Sequence, residues 1–422
     1  MLLSIIKMPA IRFYTFGCKV NQTETQSVID KMPGGYWIAD DNSEADILFI
    51  NSCTVTSEAD RQCRQLIRSY CRVNPRGIVV LTGCYAERAT EVLQSEFPAV
   101  RIIKKNECGD FWDIIEKYSA EDVSQKQRVS AGFANVRSYV KVQDGCNQFC
   151  SYCIVPYVRP ILSSRKTEDV LSEVKRKVDT GVKEIVLTGI RLGKYKSGSC
   201  GLVNLIDKVT QVNGIQRVRL SSIELIEVSD ELLRLIKKNT KLCRHLHIPV
   251  QHCHNDVLKA MNRPYFIEEF VEKIAKVREQ IPDCGITTDV ITGFPAETLG
   301  KFEDSFRVLK KIGFSRLHVF RYSPREGTLA YQTMKDCVDN KEKKRRSKVL
   351  LQLDLELRQK FAEKFVGTRV EVLLENKRSA GNGYIFGYSG NYIEVFVDTD
   401  SVNTLCSAII VKIEKGRAIA RI

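Results

Sequence analysis

Three cysteines crowd one short stretch of the chain, DGCNQFCSYCIVP, at Cys146, Cys150 and Cys153. Three residues separate the first pair and two separate the second. Thiolates so spaced can hold three irons of a cubane [4Fe–4S] cluster and leave the fourth iron without a protein ligand. Iron–sulfur proteins generally close such a cluster with four cysteines. A missing fourth ligand makes sense where a small molecule must reach the metal. A zinc knuckle or a disulfide loop is the competing reading. Structural zinc sites take four ligands, commonly as two closely spaced pairs, and this loop offers three.

A second set of thiols follows from the elements that must carry it. Ile11–Phe16, Asp46–Asn51 and Gly77–Thr82 are dense in apolar residues and read as buried strands. Helical stretches such as Ser57–Tyr70 lie between them, so the first segment alternates strand and helix and implies a doubly wound parallel sheet. Each strand runs into a cysteine: FGC gives Cys18, NSC gives Cys53 and TGC gives Cys84. The carboxyl ends of parallel strands share one edge, where ligands bind, so these three thiols are expected to meet. Buried cysteines are also common as small hydrophobes, but that account leaves the recurrence at three strand ends unexplained. Cys63 and Cys71 fall inside one helical stretch and read as ordinary helix residues. Cys108, Cys200, Cys284, Cys337 and Cys406 receive no role.

Residues 121–136 are polar and aperiodic and read as a linker. Beyond them Ser138–Val142, Glu184–Thr188, Arg217–Ser222, Arg244–Ile248, Gly285–Ile291 and Arg316–Tyr322 read as strands, with room for a helix in each interval. Thr167 is expected to cap one such helix, Val170, Val174 and Val178 to form its apolar stripe, and Gly181 to stop it. Six such units imply a partial (β/α)6 barrel, with chemistry at the carboxyl ends of its strands. The cysteine loop follows the first strand, as that rule requires. Residues 340–366 show alternating leucines, Leu351 to Leu357, that mimic a strand. Their charged flanks and lack of Gly and Pro favour one long helix. The last segment, TRVEVLLE to GRAIARI, reads as short strands bounded by Gly and Asn, hence a small closed β-barrel. Tyr384, Phe386 and Tyr388 alternate on one of its strands, either to stack bases or to fill the barrel core. The expected division is therefore 9–120, a linker over 121–136, 137–365 and 366–422.

At 422 residues with a 43% hydrophobic fraction, the chain can build two or three cores. No apolar run approaches a membrane span, and MLLSIIKMPA makes a poor signal peptide; Met8 is an alternative start. Fifteen cysteines in such a chain point to metal chemistry rather than disulfides, and to the cytoplasm. The formal net charge is +14, which suits a polyanion such as nucleic acid. Residues 301–366 carry 17 Lys and Arg against 9 Asp and Glu, and so hold over half of that excess. A solvated helix face is the plainer account of this run and nucleic-acid contact the sharper one. Residues 369–422 are nearly balanced, 7 against 6.

The C-x3-C-x2-C spacing, with Tyr152 before the last cysteine, resembles the signature of radical S-adenosylmethionine enzymes. The terminal strands resemble the TRAM domain of RNA-modifying enzymes. Over nearly its whole length the chain resembles the methylthiotransferases. TFGCKVNQTETQ, NSCTVTSEAD and HVFRYSPREGTLA are most similar to the branch that converts N6-threonylcarbamoyladenosine in tRNA to its 2-methylthio derivative. The resemblance implies two [4Fe–4S] clusters and S-adenosylmethionine. Cys146, Cys150 and Cys153 would hold the cluster that cleaves S-adenosylmethionine, and the radical so made would remove hydrogen from carbon 2 of adenine. Cys18, Cys53 and Cys84 would hold an auxiliary cluster carrying the sulfur, and a second S-adenosylmethionine would supply the methyl group.

It further implies cofactor contacts from Tyr152, Thr188, Gly189, Ser222 and Glu224, a loop at Asp289–Thr298 framing the adenine, and substrate contacts from Arg159 and Arg165. A guanidinium fork suits phosphate. The implied partners are the anticodon stem-loop of tRNA and an electron donor protein, with no membrane. A monomer is expected because no heptad seam is present. Two other substrates stay open, isopentenyl-adenosine and a ribosomal-protein aspartate, as does an RNA-binding iron–sulfur protein without turnover. Against the family pattern, His252, Cys253 and His254 stand where SGS is usual, and Pro160 where glycine is usual. Those histidines, with His245, His247 and Cys253, also admit a reading as a further metal site.

Overall fold

The computed structural model describes residues 9–105, 107, 111–116, 136–378 and 383–422. Met8, Cys108 and the linker up to residue 135 lie outside them. Two compact units divide the chain: one is the first segment together with Cys153–Pro160, the other runs over residues 134–152 and 161–422.

In the first unit, strands β1 (Ala10–Thr15), β2 (Trp37–Ile38), β3 (Ile47–Ser52), β4 (Ile78–Gly83) and β5 (Arg101–Ile102) form a parallel sheet in the order β2-β1-β3-β4-β5. Every residue of β3, ILFINS, is buried, because helices cover both faces of a central parallel strand. Its side chains alternate between two cores. Leu48 and Ile50 pack with Cys63, Ile67 and Tyr70 of α2 (Ser57–Val73). Ile47 and Phe49 pack with Val28 of α1 (Lys19–Ile29) and with Phe111 and Trp112. Each such side chain stabilises the sheet by about 1.5–3 kcal/mol. The remaining helices are α3 (Cys84–Arg88), α4 (Thr90–Glu96), α5 (Phe111–Glu116) and the short α6 (Val155–Val158), which belongs to the late segment. Thr56 caps α2 by accepting from the Ala59 N–H at 3.3 Å.

In the second unit, β6 (Arg137–Asp144), β8 (Glu184–Gly189) and β11 (Arg217–Leu220) pair in parallel, and β7 (Ser163–Ser164) adds an antiparallel edge to β6. β12 (His245–His247), β13 (Gly285–Thr292) and β14 (Arg316–Arg321) form a second parallel set. The parallel bridges Val218–Leu242 and Ser222–His247 join the two sets. The strands thus follow one another as β6-β8-β11-β12-β13-β14. Among the described residues no pairing joins β6 to β14, so the barrel is open. Its helices are α7 (Thr167–Asp179), α8 (Leu202–Thr210), α9 (Asp230–Lys238), α10 (Asn255–Ala260), α11 (Ile267–Gln280) and α12 (Leu299–Ile312). A small hairpin, β9 (Lys196–Ser197) and β10 (Cys200–Gly201), precedes α8. Thr167 is the first residue of α7 and not its cap. Its hydroxyl shares a hydrogen bond of 3.1 Å with Tyr195 Oη instead.

After α13 (Leu329–Thr333), α14 (Asn340–Glu363) runs as one long helix, as its composition predicts. Leu350, Leu353 and Leu357 turn inward, while Leu351 and Leu355 are exposed. Alternation in sequence thus becomes opposite faces of a helix. β15 (Arg369–Arg378), β16 (Ile385–Ser389), β17 (Glu394–Val397), β18 (Leu405–Glu414) and β19 (Arg417–Arg421) close into a barrel in the order β15-β16-β17-β19-β18. Ile385, Val395, Val397, Ala408, Ile410 and Ala418 fill it. Phe386 and Tyr388 lie on the outer face, so the barrel-core reading of this aromatic set is corrected. Tyr388 stacks on Tyr392 with centroids 4.6 Å apart, and the Arg137 guanidinium sits 5.0 Å above its ring. Among the described residues, no helix is long and apolar enough to cross a membrane.

Candidate functional site: two cysteine triads

The sheet order of the first unit reverses direction between β1 and β3, and a doubly wound sheet opens a crevice at that point. Cys18, at the start of α1, and Cys53, just past β3, flank it; Cys84 opens α3 after β4. Gly17 makes the approach possible. Its φ is +97°, and a Cβ there would stand 2.7 Å from the Cys53 Cβ and 2.8 Å from its sulfur. Ser52 Oγ donates to Thr82 O at 2.5 Å and accepts from the Ala86 N–H at 3.2 Å, tying the ends of β3 and β4 together. Burial, with smaller contributions from the neighbouring Cys84 and Cys18 sulfurs and against a hydrogen bond from the Val55 backbone, pushes the Cys53 thiol up to about 12.

An arginine closes this triad. Arg159 is 4% exposed, and its Nε donates to Cys84 Sγ at 3.4 Å. Its two terminal nitrogens grip Glu24, Nη1 to Oε1 and Nη2 to Oε2, both at 2.8 Å. Nη2 also reaches Asn21 Oδ1 at 3.3 Å, the same atom that accepts the Cys18 S–H at 3.3 Å. Asn21 in turn donates to Asn51 Oδ1 and Ser52 O, each at 3.0 Å. The phosphate-facing fork expected of Arg159 therefore points into the first unit.

In the second unit Cys146 follows Gly145, whose φ is +79° and where a Cβ would collide with the Ile161 carbonyl. Gln143 holds this turn, donating to Asp144 O at 2.6 Å and Gly145 O at 2.9 Å and accepting from the Arg191 N–H at 2.6 Å. Arg191 then pairs with Glu227 at 2.7 Å and reaches Asn147 Oδ1 at 3.3 Å. Burial pushes the Cys146 thiol up, against a hydrogen bond from the Gln148 N–H at 3.4 Å; Cys150 and Glu224 add to the rise. Cys150 Sγ accepts from Arg263 Nη1 at 3.4 Å, and Arg263 is gripped by Glu224 at 2.6 Å. Ser151 fixes the loop through Met261 O, Ala260 O and the Ala330 N–H. Tyr152 packs against Val257, Met261, Phe294, Tyr322 and Ala330. Cys153 begins the segment that folds with the first unit.

Thr188 and Gly189 end β8, and Ser222 bridges to His247 just past β11, all at the carboxyl edge. Ser221 Oγ, beside Ser222, is buried with no hydrogen-bond partner. Glu224 is held by Arg263 rather than free for a ligand. Arg165 bonds Lys141 O at 3.0 Å and pairs with Glu173 at 2.5 Å. His252 binds Glu297 at 3.1 Å, His245 and His247 share Thr287, and Cys253 is buried. Among the described residues no group of three or more His, Cys, Asp or Glu is arranged about a single metal ion, neither the histidine-rich stretch nor either cysteine triad. A single ion draws its thiolates to about 2.3 Å from one point, whereas a cubane accepts each on a separate iron. The donor sets suit clusters: soft thiols, buried arginines beside sulfur, and an unsatisfied hydroxyl at the ligand edge. Asn21, Glu24 and Arg263 were missed by sequence reasoning. Only Asn21 and Glu24, within two helical turns past Cys18, carried a local signal.

The radical SAM superfamily profile matches residues 140–309, and that of the uncharacterized protein family UPF0004 matches residues 10–104. A threonylcarbamoyladenosine tRNA methylthiotransferase MtaB of Bacillus subtilis is 36% identical over 408 residues, covering 92% of this chain and 90% of its own. A tRNA-2-methylthio-N(6)-dimethylallyladenosine synthase of Endomicrobium trichonymphae is 32% identical, covering 94% and 99%. Among solved structures, the radical S-adenosylmethionine methyltransferase TsrM from Kitasatospora setae superposes with a TM-score of 0.54 at 14% identity. It covers 75% of this chain and 76% of that one, a likeness of fold. With its two cysteine-bearing sheets in this order and relatives of this identity over nearly all its length, the chain belongs to the radical S-adenosylmethionine methylthiotransferase family.

Proposed function

We propose that this enzyme adds a methylthio group to carbon 2 of N6-threonylcarbamoyladenosine beside the anticodon of tRNA. The observation that carries the reading is the 36% identity to the Bacillus subtilis enzyme of that name over 92% of the chain, with both triads intact. On this reading residues 9–120 carry the auxiliary site, 137–365 the radical site and 366–422 an RNA-binding barrel, with 121–136 as linker. Cys146, Cys150 and Cys153 would hold one [4Fe–4S] cluster, and Cys18, Cys53 and Cys84 the second. When bound, these groups and S-adenosylmethionine supply one-electron chemistry strong enough for an aromatic C–H bond, together with the sulfur and the methyl group.

The chain's own contribution is placement. Gln143 and Arg191 shape the turn before Cys146, and Ser151 and Tyr152 anchor the loop. Thr188, Gly189 and Ser222 line the strand ends where a polar cofactor would lie, and Ser221 offers its unpaired hydroxyl. Glu224 serves by fixing Arg263 on Cys150. Arg165 lies on the same unit and would face RNA only after leaving Glu173. The excess of positive charge over residues 301–366 supports a polyanionic substrate. An electron donor protein, a cytoplasmic setting and a monomeric state complete the reading.

Mass spectrometry of tRNA nucleosides from a strain lacking the gene tests the substrate. The methylthio derivative of N6-threonylcarbamoyladenosine should vanish and return on complementation. Loss of the dimethylallyl counterpart instead would move the enzyme to the branch of the Endomicrobium relative. Loss of neither would end the tRNA reading.

A further inference from the structure

We propose that Arg159 is a positioning residue that sets the electron density of the auxiliary cluster through its hydrogen bond to the sulfur of Cys84. The inference rests on the reading that Cys18, Cys53 and Cys84 bind iron and sulfur. It concerns what stands behind them.

The geometry aims Arg159 at a ligand sulfur. Its side chain is almost wholly enclosed, so phosphate cannot reach it. The bidentate grip of Glu24 fixes the plane of the guanidinium, and Nε is then left aimed at Cys84 Sγ. Nη2 extends the contact to Asn21, which also receives the Cys18 thiol. Once Cys18 is ligated its thiol proton is gone, and Arg159 becomes the donor that keeps Asn21 Oδ1 satisfied. One ligand sulfur, that of Cys84, is thus touched directly by the guanidinium, and the asparagine beside a second ligand is held by it. Ile154 and Val158 pack on Cys84 from the same short segment, and Lys105 Nζ donates to the Val158 carbonyl at 2.7 Å. Arg159 therefore stands on a braced element.

An N–H donated to a ligand sulfur, with positive charge behind it, draws electron density from the iron–sulfur bond and favours the reduced cluster. The arginine lies six residues after Cys153 in the chain. The residue that tunes the auxiliary site is thus carried by the strand of sequence that leaves the radical-site loop.

The test uses the full chain with Cys146, Cys150 and Cys153 changed to Ala, so that only the auxiliary cluster is reconstituted. Iron and sulfide content and the midpoint potential are measured for this parent and for Arg159→Lys and Arg159→Gln, with Arg159→Gln/Glu24→Gln to avoid stranding a half-buried carboxylate. The expected result is cluster content near the parent's in the Lys and double variants. The midpoint should shift downward in the double variant and fall between it and the parent in the Lys variant, which keeps charge but not the fork. Unchanged midpoints with intact clusters overturn the proposal. So does loss of the cluster in the Lys and double variants alike, which would make the role structural. A parent that binds no iron at all would instead refute the reading of the triad.

Discussion

Two buried arginines each touch one cysteine sulfur at 3.4 Å, and each is held by a glutamate. Arg159 was singled out in the sequence but as a substrate contact, and Arg263 was not singled out at all. The place of Cys18, Cys53 and Cys84 at one sheet edge was legible, because strand periodicity positions a residue there without knowledge of distant contacts. Arg159 reaches Glu24 across 135 residues and Arg263 reaches Cys150 across 113. No local pattern encodes such pairs, and a fork near a nucleic-acid site reads by default as phosphate-facing. At this scale the roles separate cleanly. On the proposed two-cluster reading, Cys150→Ala should abolish formation of 5′-deoxyadenosine from S-adenosylmethionine under dithionite while the auxiliary cluster's iron is retained. An iron count that falls to zero would contradict two independent sites. Arg263→Ala should weaken the radical cluster, seen as faster iron loss to a chelator, with the auxiliary cluster unaffected.

Among the elements, the barrel strands show how burial and charge trade. Glu184, at the start of β8, lies among Arg137, Arg217 and Arg219 at 2.7, 3.1 and 3.0 Å. Burial would push its carboxyl up, but Arg219, Arg137 and Arg217 outweigh that and hold it well below the usual carboxylate range. Arg219 also donates to the carbonyls of Ser389 and Gly390 of the C-terminal barrel. Glu184→Gln should destabilise the fold by about 3–5 kcal/mol, because it strands buried guanidiniums. A denaturant midpoint matching the parent's would refute that. The long helix α14 is pinned differently: Arg346 bonds both the carbonyl and the carboxylate of Glu297 (2.8 and 2.7 Å), and His252 bonds the same carboxylate. Burial holds His252 below the ordinary imidazole value, against the pull of Glu297, so the folded chain carries it neutral. The unfolded chain then binds the extra proton first as pH falls. Stability from this residue is fully present above about pH 6.5 and declines below it. Replacing His252 with Asn should flatten that part of the parent's stability–pH curve, and an identical slope would exclude the histidine. The sequence marked His252 as unusual and left its role open, since spacing alone cannot show that a carboxylate 45 residues away is its partner.

The whole molecule carries an excess of positive charge that its C-terminal barrel does not explain. Lys341, Lys344 and Lys348 are exposed on α14, where a polyanion can approach them. Changing all three to Glu should weaken tRNA binding at every sequence and flatten the salt dependence of log Kd, by about 0.9 for each phosphate no longer neutralised. An unaltered slope would leave α14 a solvated face. Fold class was readable at this scale because apolar periodicity changes character twice, from buried parallel strands to longer repeating units to short alternating strands. The late segment Cys153–Pro160 was not, since nothing in a linear pattern says that eight residues from mid-chain complete an earlier domain. That topology has a practical corollary for engineering. A chimera that exchanges the N-terminal module at residue 120 would leave a foreign sheet facing an unmatched α6. Grafting this module intact requires two cuts, with its discontinuous octapeptide transplanted alongside.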